Sequence, residues 1–262
     1  MDASVLCEII GIPPRIVRKM EEKATVVRQQ QTYIRQLTQS GRAEQAHGAL
    51  AQALGEDDMA MLACQMEAAA LYYDRYRALG VNPKILTDTL KCFSRFLAET
   101  LVMSGKDRFD RDWWTWRQVS GQLFRIGELE YEMLAEPKVI SIHIPSDAAF
   151  TPGNVDASLA AAKAFFGEFF PEYAEVKYVC DSWLLSPKLK ELLPETSNIL
   201  SFQRRFSITH VNTENRDFIG WLFRAEPGTP AEALPEETSL QRKTKQLLLA
   251  GGNIGEAAGI LL

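Results

Sequence analysis

The sequence predicts an α+β fold, with an all-helical N-terminal domain over residues 1–121 and a mixed β-sheet domain with helices on its faces over residues 122–262. Two patterns carry this prediction. Up to about residue 110, apolar side chains recur at spacings of three and four, the period of a helix with one buried face. After Gly121 the period shortens to two, which is typical of strands, and predicted strands and helices then alternate.

The composition is that of a globular protein with a substantial core. Of the 262 residues, 46% are hydrophobic and 24% are charged, and the formal net charge is -5 with both signs interspersed. This balance argues against binding to nucleic acid, which usually requires a basic stripe, and against binding to an anionic membrane. The start LCEIIGIPPRIVRKM faintly resembles a helix-turn-helix, but the acidic balance speaks against a DNA-linked regulator.

The sequence also predicts a cytoplasmic protein without a metal site. Glu8 and Pro13-Pro14 interrupt the apolar stretch near the start, so we expect no signal peptide, and no window reaches about 18 apolar residues. The cysteines form no C-x-x-C pair, which argues against a zinc ribbon and a thioredoxin-like site. They are Cys7, Cys64, Cys92 and Cys180. Free buried thiols in a reducing compartment account for them.

The first half divides into helices at its glycines and prolines. Gly41 and Gly55 each end a helix, and Gly80 with Pro83 marks a further break. The predicted helices run from Pro14 to about Gln39, from Ala43 to Leu54, from about Asp58 to Leu79, from Pro83 to about Met103, and from Asp112 through Trp116.

The second half begins with a predicted hairpin over residues 123–144. In its first strand the apolar residues alternate in one phase before Gly127 and in the opposite phase after it. A β-bulge at Gly127 is the simplest explanation of this change of phase. Glu136 to Lys138 then forms a turn. The later predicted strands are residues 176–180, 206–211, 218–223 and 258–262, and the later helices begin near Pro152, Ser186, Ser197 and Ser239.

One helix separates the predicted strands 139–144 and 175–181, which therefore pair in parallel through a right-handed crossover. Ligands of such sheets usually bind beyond the C-terminal ends of the parallel strands. Here those ends are residues 143–147 and 180–183, and both are polar after an apolar run. The sequence therefore predicts a site at this edge of the sheet.

Several segments carry a family resemblance, and it covers essentially the whole chain. They are ISIHIPSDA, NVDASLAAAKAFFGEFFPEY, YVCDSWLLSP, LKELLPETSNILSFQRRF and TSLQRKTKQLLLAGG. With the order of elements, they resemble the GNAT acyltransferase superfamily, and more closely a bacterial family of two-domain, GNAT-like proteins with a helical N-terminal domain. The resemblance is most specific over residues 139–206.

This resemblance implies an acyltransferase that uses an acyl-coenzyme A as co-substrate. The acyl-coenzyme A would lie between strands 139–144 and 175–181, with its pyrophosphate on the backbone N–H groups of the following helix N-terminus. An amine of a small molecule or peptide would then attack the thioester directly, helped by a base.

The loop over residues 145–153 departs from the pattern of that superfamily, Gln/Arg-x-x-Gly-x-Gly/Ala. It has one glycine and no basic residue, and Pro152 removes a backbone donor. A tyrosine that often protonates the leaving thiolate is absent from residues 182–206. These departures leave a second hypothesis open, a non-catalytic GNAT-shaped binding or regulatory module.

The candidate catalytic residues are His143, as general base, and Asp181. The candidate contacts to substrate or cofactor are Ser146, Asp147, Ser182, Trp183 and Arg204. Plainer interpretations stay open for each kind of residue, since a histidine can be structural and an aspartate can stabilise a turn. Cys180 follows the apolar alternation and is expected to be buried, and it could act as a nucleophile only beside a base such as His143.

Overall fold

A computed structural model describes residues 1–226 and 228–262 of the chain. It divides into two compact units, Met1–Ile126 and Gly127–Leu262. In the part of the chain that the model describes, no helix is both long and apolar enough to cross a bilayer. The same residues contain no group of three His, Cys, Asp or Glu side chains positioned to hold a metal ion.

The first unit is helical apart from one short strand at its end. Its helices are α1 (Ala3–Ile9), α2 (Pro14–Glu21), α3 (Ala24–Gln29), α4 (Gln31–Leu37), α5 (Ala43–Leu54), α6 (Asp58–Ala78), α7 (Pro83–Leu90), α8 (Cys92–Ser104) and α9 (Asp112–Ser120), and its strand is β1 (Leu123–Ile126). Helix α6 forms the centre, because α1 to α5, α7 and α9 all pack against it. It is therefore buried around most of its circumference, where the sequence indicated one buried face.

The prediction of one long polar helix from Pro14 to about Gln39 is wrong. The chain instead forms α2, α3 and α4, which all pack on α6. The bends let each segment turn its own apolar residues inward, among them Ile16, Val27 and Ile34. The helix predicted from Pro83 to Met103 likewise divides at Lys91 into α7 and α8. Over either segment, one straight helix with so few apolar residues could not turn all of them toward the core, and much of their apolar surface would stay unburied.

The second unit contains five strands and four α-helices among its described residues. The strands are β2 (Leu129–Ala135), β3 (Lys138–His143), β4 (Tyr178–Ser182), β5 (Phe206–Asn212) and β6 (Glu256–Leu261), and the helices are α10 (Pro152–Phe169), α11 (Leu189–Leu192), α12 (Asn198–Gln203) and α13 (Ser239–Leu249). The strands pair in the order β2-β3-β4-β6-β5. Only β3 and β4 pair in parallel, so the sheet of these described strands is mixed, as predicted.

Two predicted strand features are wrong. The phase slip at Gly127 marks a turn rather than a bulge, since β1 ends at Ile126 and β2 begins at Leu129. Gly127 has φ +65°, a left-handed conformation that interrupts an extended strand. Residues 218–223 form helical turns instead of a strand, because Phe218, Ile219 and Phe223 fill an apolar cluster with Leu189 and Leu200.

The two faces of the sheet differ in chemistry. Helix α10 packs on the face that carries Tyr131 and Tyr178, where Phe166 contacts both rings and Ser158 bonds the Tyr131 hydroxyl at 2.9 Å. Successive side chains of a strand point to opposite faces, and paired residues share a face. The other face of β2, β3 and β4 therefore carries Glu130 and Glu132, Ser141 and His143, and Val179 and Asp181.

Candidate active site

The pairing between β3 and β4 stops before the C-terminal end of either strand. Their parallel pairing consists of Ile140 with Tyr178 and Ser141 with Val179, although β3 continues to His143 and β4 to Ser182. Beyond Val179, β4 remains paired on its other side to β6. We call the region beyond Ser141 and Val179, where the two strands are no longer paired, the opening, and it lies where the sequence predicts a ligand site.

His143 stands at this opening and is paired with a carboxylate from the neighbouring strand. Its Nε2 atom lies 3.0 Å from Oε2 of Glu132, whose side chain is only 7% exposed, whereas that of His143 is 27% exposed. Glu132 is opposite Ser141 in the ladder, so it reaches His143 diagonally across the same face. The predicted base is thus held by an acid that the sequence analysis missed.

The signal for Glu132 is visible in the sequence after the fact. Glu128 precedes β2, and Glu130 and Glu132 follow at every second position within it, in a strand whose other residues are apolar or aromatic. Glu130 and Glu132 are both buried. Buried carboxylates need a partner, so such a row on one strand face indicates polar groups on the adjacent strand.

Asp181 lies on the same sheet face as Glu256 of β6. Asp181 is opposite Ala258, and Glu256 is two residues earlier on that strand. Burial raises the pKa of the Glu256 carboxyl group, and the negative charge of Asp181 raises it further. Oε1 of Glu256 accepts a hydrogen bond from Nδ2 of Asn212 at 3.4 Å. This side of the opening is thus acidic.

Cys180 lies on the apolar face, since it is adjacent along β4 to Asp181 and Val179 of the polar face. Its side chain is buried, and burial raises the pKa of the thiol well above its ordinary value. The thiolate is the nucleophilic form of cysteine, so both features speak against Cys180 as a nucleophile paired with His143.

Ser182 and Trp183 follow β4 and have local structural contacts. The Ser182 hydroxyl accepts a hydrogen bond from the backbone N–H of Leu184 at 3.2 Å and so begins a short helical turn. Trp183 packs, half-buried, against the apolar cluster that contains Leu189 and Phe218. Their predicted contacts to substrate stay predictions.

Ser146 and Asp147 are exposed and form a turn after β3, closed by a hydrogen bond of 3.1 Å from the Ala148 N–H to the Pro145 carbonyl. They lie at the same end of β3 as His143. The loop then reaches α10, where the Thr151 hydroxyl accepts a hydrogen bond from the Asn154 N–H. Their position fits both the turn-forming and the ligand-contact interpretations of the sequence.

Of the two consecutive arginines, Arg205 is the one that contacts the start of α10. Its guanidinium bonds Asp156 and the carbonyl of Pro152. Arg204, which the sequence favoured as a ligand contact, is exposed, and its Nη1 lies 3.5 Å from the carbonyl of Glu195. The sequence does not reveal which of the two adjacent arginines turns toward α10, because this depends on the residue at which α12 ends.

A mixed sheet with two parallel strands that separate beside a helix N-terminus defines the class of GNAT-like domains. The chain belongs to that family: residues 123–261 match the model of the GNAT-like C-terminal domain, and residues 1–121 match that of the N-acyltransferase N-terminal domain. The family resemblance and the fold class expected from the sequence are thus confirmed.

Solved structures with the same fold cover the chain from end to end. One is an acyltransferase in complex with decanoyl-CoA and teicoplanin, at 20% identity and a TM-score of 0.73, covering 100% of this chain and 99% of that one. Structures of an acyltransferase with decanoyl-CoA, and with CoA and 10C-teicoplanin, match at 20% identity and a TM-score of 0.72, with the same coverage. No curated protein sequence matches the chain.

Proposed function

We propose that this protein transfers an acyl group from an acyl-coenzyme A thioester to an amine of a small molecule or peptide, in the cytoplasm where such thioesters are made. The observation that carries the proposal is the early end of the β3–β4 pairing, with His143 at the opening. Structures with this fold contain decanoyl-CoA or CoA, which supports the same donor here.

The acyl-coenzyme A would lie between the ends of β3 and β4. Its pyrophosphate would meet the N-terminus of α10, where backbone N–H groups and the helix dipole favour an anion. Pro152 removes one donor there, and the guanidinium of Arg205, with Asp156 as its counter-ion, lies beside the Pro152 carbonyl and can donate to an anion. Ser146, Asp147, Ser182, Trp183 and Arg204 are proposed to contact the donor or the acceptor.

The chemistry would be direct transfer without a covalent enzyme intermediate. The amine nitrogen attacks the thioester carbonyl carbon, the C–S bond breaks, and an amide and the free thiol of coenzyme A are formed. His143 accepts the proton that the amine loses, and Asp181 helps to hold the amine at the opening. The buried thiol of Cys180 takes no part.

The acceptor is proposed to be an amine-bearing small molecule or peptide. One structure with this fold is a complex with decanoyl-CoA and teicoplanin, and another is a complex with CoA and 10C-teicoplanin, both at 20% identity. The polar face of the sheet carries the acidic residues Glu132, Asp181 and Glu256. Their charge would attract a cationic ammonium group before it is deprotonated. A peptide with an exposed amino group is therefore the first acceptor class to test.

The proposal is tested by a binding experiment followed by a turnover assay. Decanoyl-CoA and acetyl-CoA at about 100 times the dissociation constant should stabilise the fold by about 2.7 kcal/mol, which a thermal unfolding scan detects easily. Release of free thiol in the presence of an amine acceptor would then show acyl transfer. Absence of both binding and turnover would instead support the non-catalytic module that the unusual loop 145–153 suggests.

A further inference from the structure

Glu132 is a buried acid whose carboxylate is directed at the imidazole of His143. The two side chains lie on paired strands, and the ladder sets Glu130 opposite His143 and Glu132 opposite Ser141. The contact of 3.0 Å joins Oε2 of Glu132 to Nε2 of His143. Since both residues belong to regular strands, the pair is held by the backbone hydrogen bonds of the sheet rather than by a loop.

This contact decides which ring nitrogen carries the proton. An ionised carboxylate can only accept hydrogen bonds, so Nε2 of His143 must be the donor, and in the neutral ring the lone pair is then on Nδ1. A carboxylate that bonds one nitrogen of a histidine is a known means of fixing tautomer and ring orientation. A general base needs both to be fixed before its substrate arrives.

Core packing does not account for an acid at this position. The apolar contacts of β2 come from its other face, where Tyr131 packs against Phe166 and Tyr178. The Glu132 side chain is 7% exposed, and burial of a carboxylate is costly unless it is paired. The contact with His143 is one such pairing, and it places Glu132 at the proposed site.

We propose that Glu132 is a positioning residue for acyl transfer, which holds the proton on Nε2 of His143 so that Nδ1 accepts the proton of the attacking amine. This inference rests on the proposed function. As the amine nitrogen bonds to the thioester carbon, its proton moves to Nδ1, and the imidazolium formed is stabilised by the adjacent carboxylate. The proton departs with the coenzyme A thiolate, so the ring returns to its starting tautomer.

The kinetic test compares Glu132→Gln with Glu130→Gln, which removes a buried carboxylate from the same face of the same strand. Glutamine keeps the size of the side chain but not its charge. Glu132→Gln should lower kcat by roughly 10- to 100-fold while the KM for acyl-coenzyme A stays within about twofold. Glu130→Gln should lower kcat much less. An equal loss of kcat in both variants would overturn the positioning role.

A second readout does not depend on turnover. The protein has three histidines, so the ring nitrogens of His143 can be assigned in 15N-edited NMR spectra by the signals that His143→Ala removes. Wild type and Glu130→Gln should show a single Nε2–H tautomer, and Glu132→Gln should show a mixture. A predominant Nδ1–H tautomer in wild type, or an unchanged spectrum in Glu132→Gln, would refute the inference. If the tautomer result holds but no acyl transfer is found, the proposed function fails while the geometric inference stands.

Discussion

Arg205 and Asp156 form an ion pair that links the end of α12 to the beginning of α10. Nε and Nη2 of Arg205 lie 2.8 and 2.7 Å from Oδ1 of Asp156, and Nη2 also donates to the Pro152 carbonyl at 3.3 Å. The Arg205 side chain is 18% exposed, so this cation is fixed beside the helix N-terminus proposed to hold the donor pyrophosphate.

We therefore expect Arg205→Gln to weaken binding of acyl-coenzyme A by about tenfold, which corresponds to the loss of one charge-assisted hydrogen bond. Isothermal titration of coenzyme A into wild type and variant measures this change. Arg204→Gln removes the neighbouring, exposed charge and should have the smaller effect. If Arg204→Gln weakens binding more than Arg205→Gln, the arginine favoured by the sequence is the ligand contact.

His143→Ala should lower kcat by roughly 10²–10⁴-fold, the usual range for loss of a general base, while the fold is retained. Stopped-time assays of thiol release measure the rate, and far-UV circular dichroism checks the fold. The half-exposed position of His143 at the end of β3 is the reason that we expect little structural effect.

Cys180→Ala is the matched control for a covalent mechanism. The thiol lies on the apolar face and its pKa is raised by burial, so turnover should stay within about threefold of wild type. Stability should fall by about 1 kcal/mol, because a buried sulfur atom is removed. Turnover lost in Cys180→Ala but kept in His143→Ala would establish an enzyme-bound acyl intermediate instead.

The stability of the protein should depend on the charge of Glu256. Burial and Asp181 raise the pKa of Glu256 in the folded state, so the fold binds this proton more tightly than the unfolded chain does. This contribution is fully present below the ordinary carboxyl pKa of about 4.3, and it is lost as pH rises through the higher pKa of the folded state. Glu256→Gln, which cannot ionise, should therefore gain stability relative to wild type as pH rises from about 4 to about 7.

Urea unfolding across this pH range measures the gain, and the Asp181→Asn background provides the control. Since the charge of Asp181 raises the pKa of Glu256, the gain from Glu256→Gln should be smaller once Asp181 is neutral. A gain that is independent of pH in both backgrounds would show that Glu256 titrates alike in the folded and unfolded chain.

Gly121 and Gly48 should respond oppositely to alanine. Gly121 ends α9 with φ +74°, and an added Cβ would collide with the Tyr76 hydroxyl. Gly121→Ala should therefore lower the free energy of unfolding by roughly 1–3 kcal/mol. Gly48 is exposed within α5 and has open space at its Cβ position, so Gly48→Ala should raise it by about 0.5–1 kcal/mol. Urea titration of both variants checks the signs, and destabilisation by both would contradict this account.

Part of the fold follows from local patterns alone. The alternation of Val139 to Ile144 and the apolar stripe from Val155 to Phe169 predict β3 and α10 closely, because one face of each is buried and the other is not. The helix between the strands 139–144 and 175–181 fixes their parallel pairing. The place of His143 at the end of β3 follows from the same alternation.

The departures from prediction arise where contacts distant in sequence outweigh local pattern. Residues 218–223 alternate like a strand, yet they form helical turns because they fill a cluster with Leu189, Leu200 and Ile254. The C-terminal strand β6 pairs between β4 and β5, an order that no local period encodes. Two bends between α2 and α4 likewise arise from packing on α6.

The fold class, the strands that bear the opening and the place of His143 follow from sequence alone, because period and strand order depend on neighbouring residues. The partners of the site residues follow only from the folded chain. Register across β2 and β3 joins Glu132 to His143, and the end of α12 turns Arg205 rather than Arg204 toward α10. Such contacts depend on which strands pair, in which register, and on where a helix ends, and these are set by burial over the whole unit.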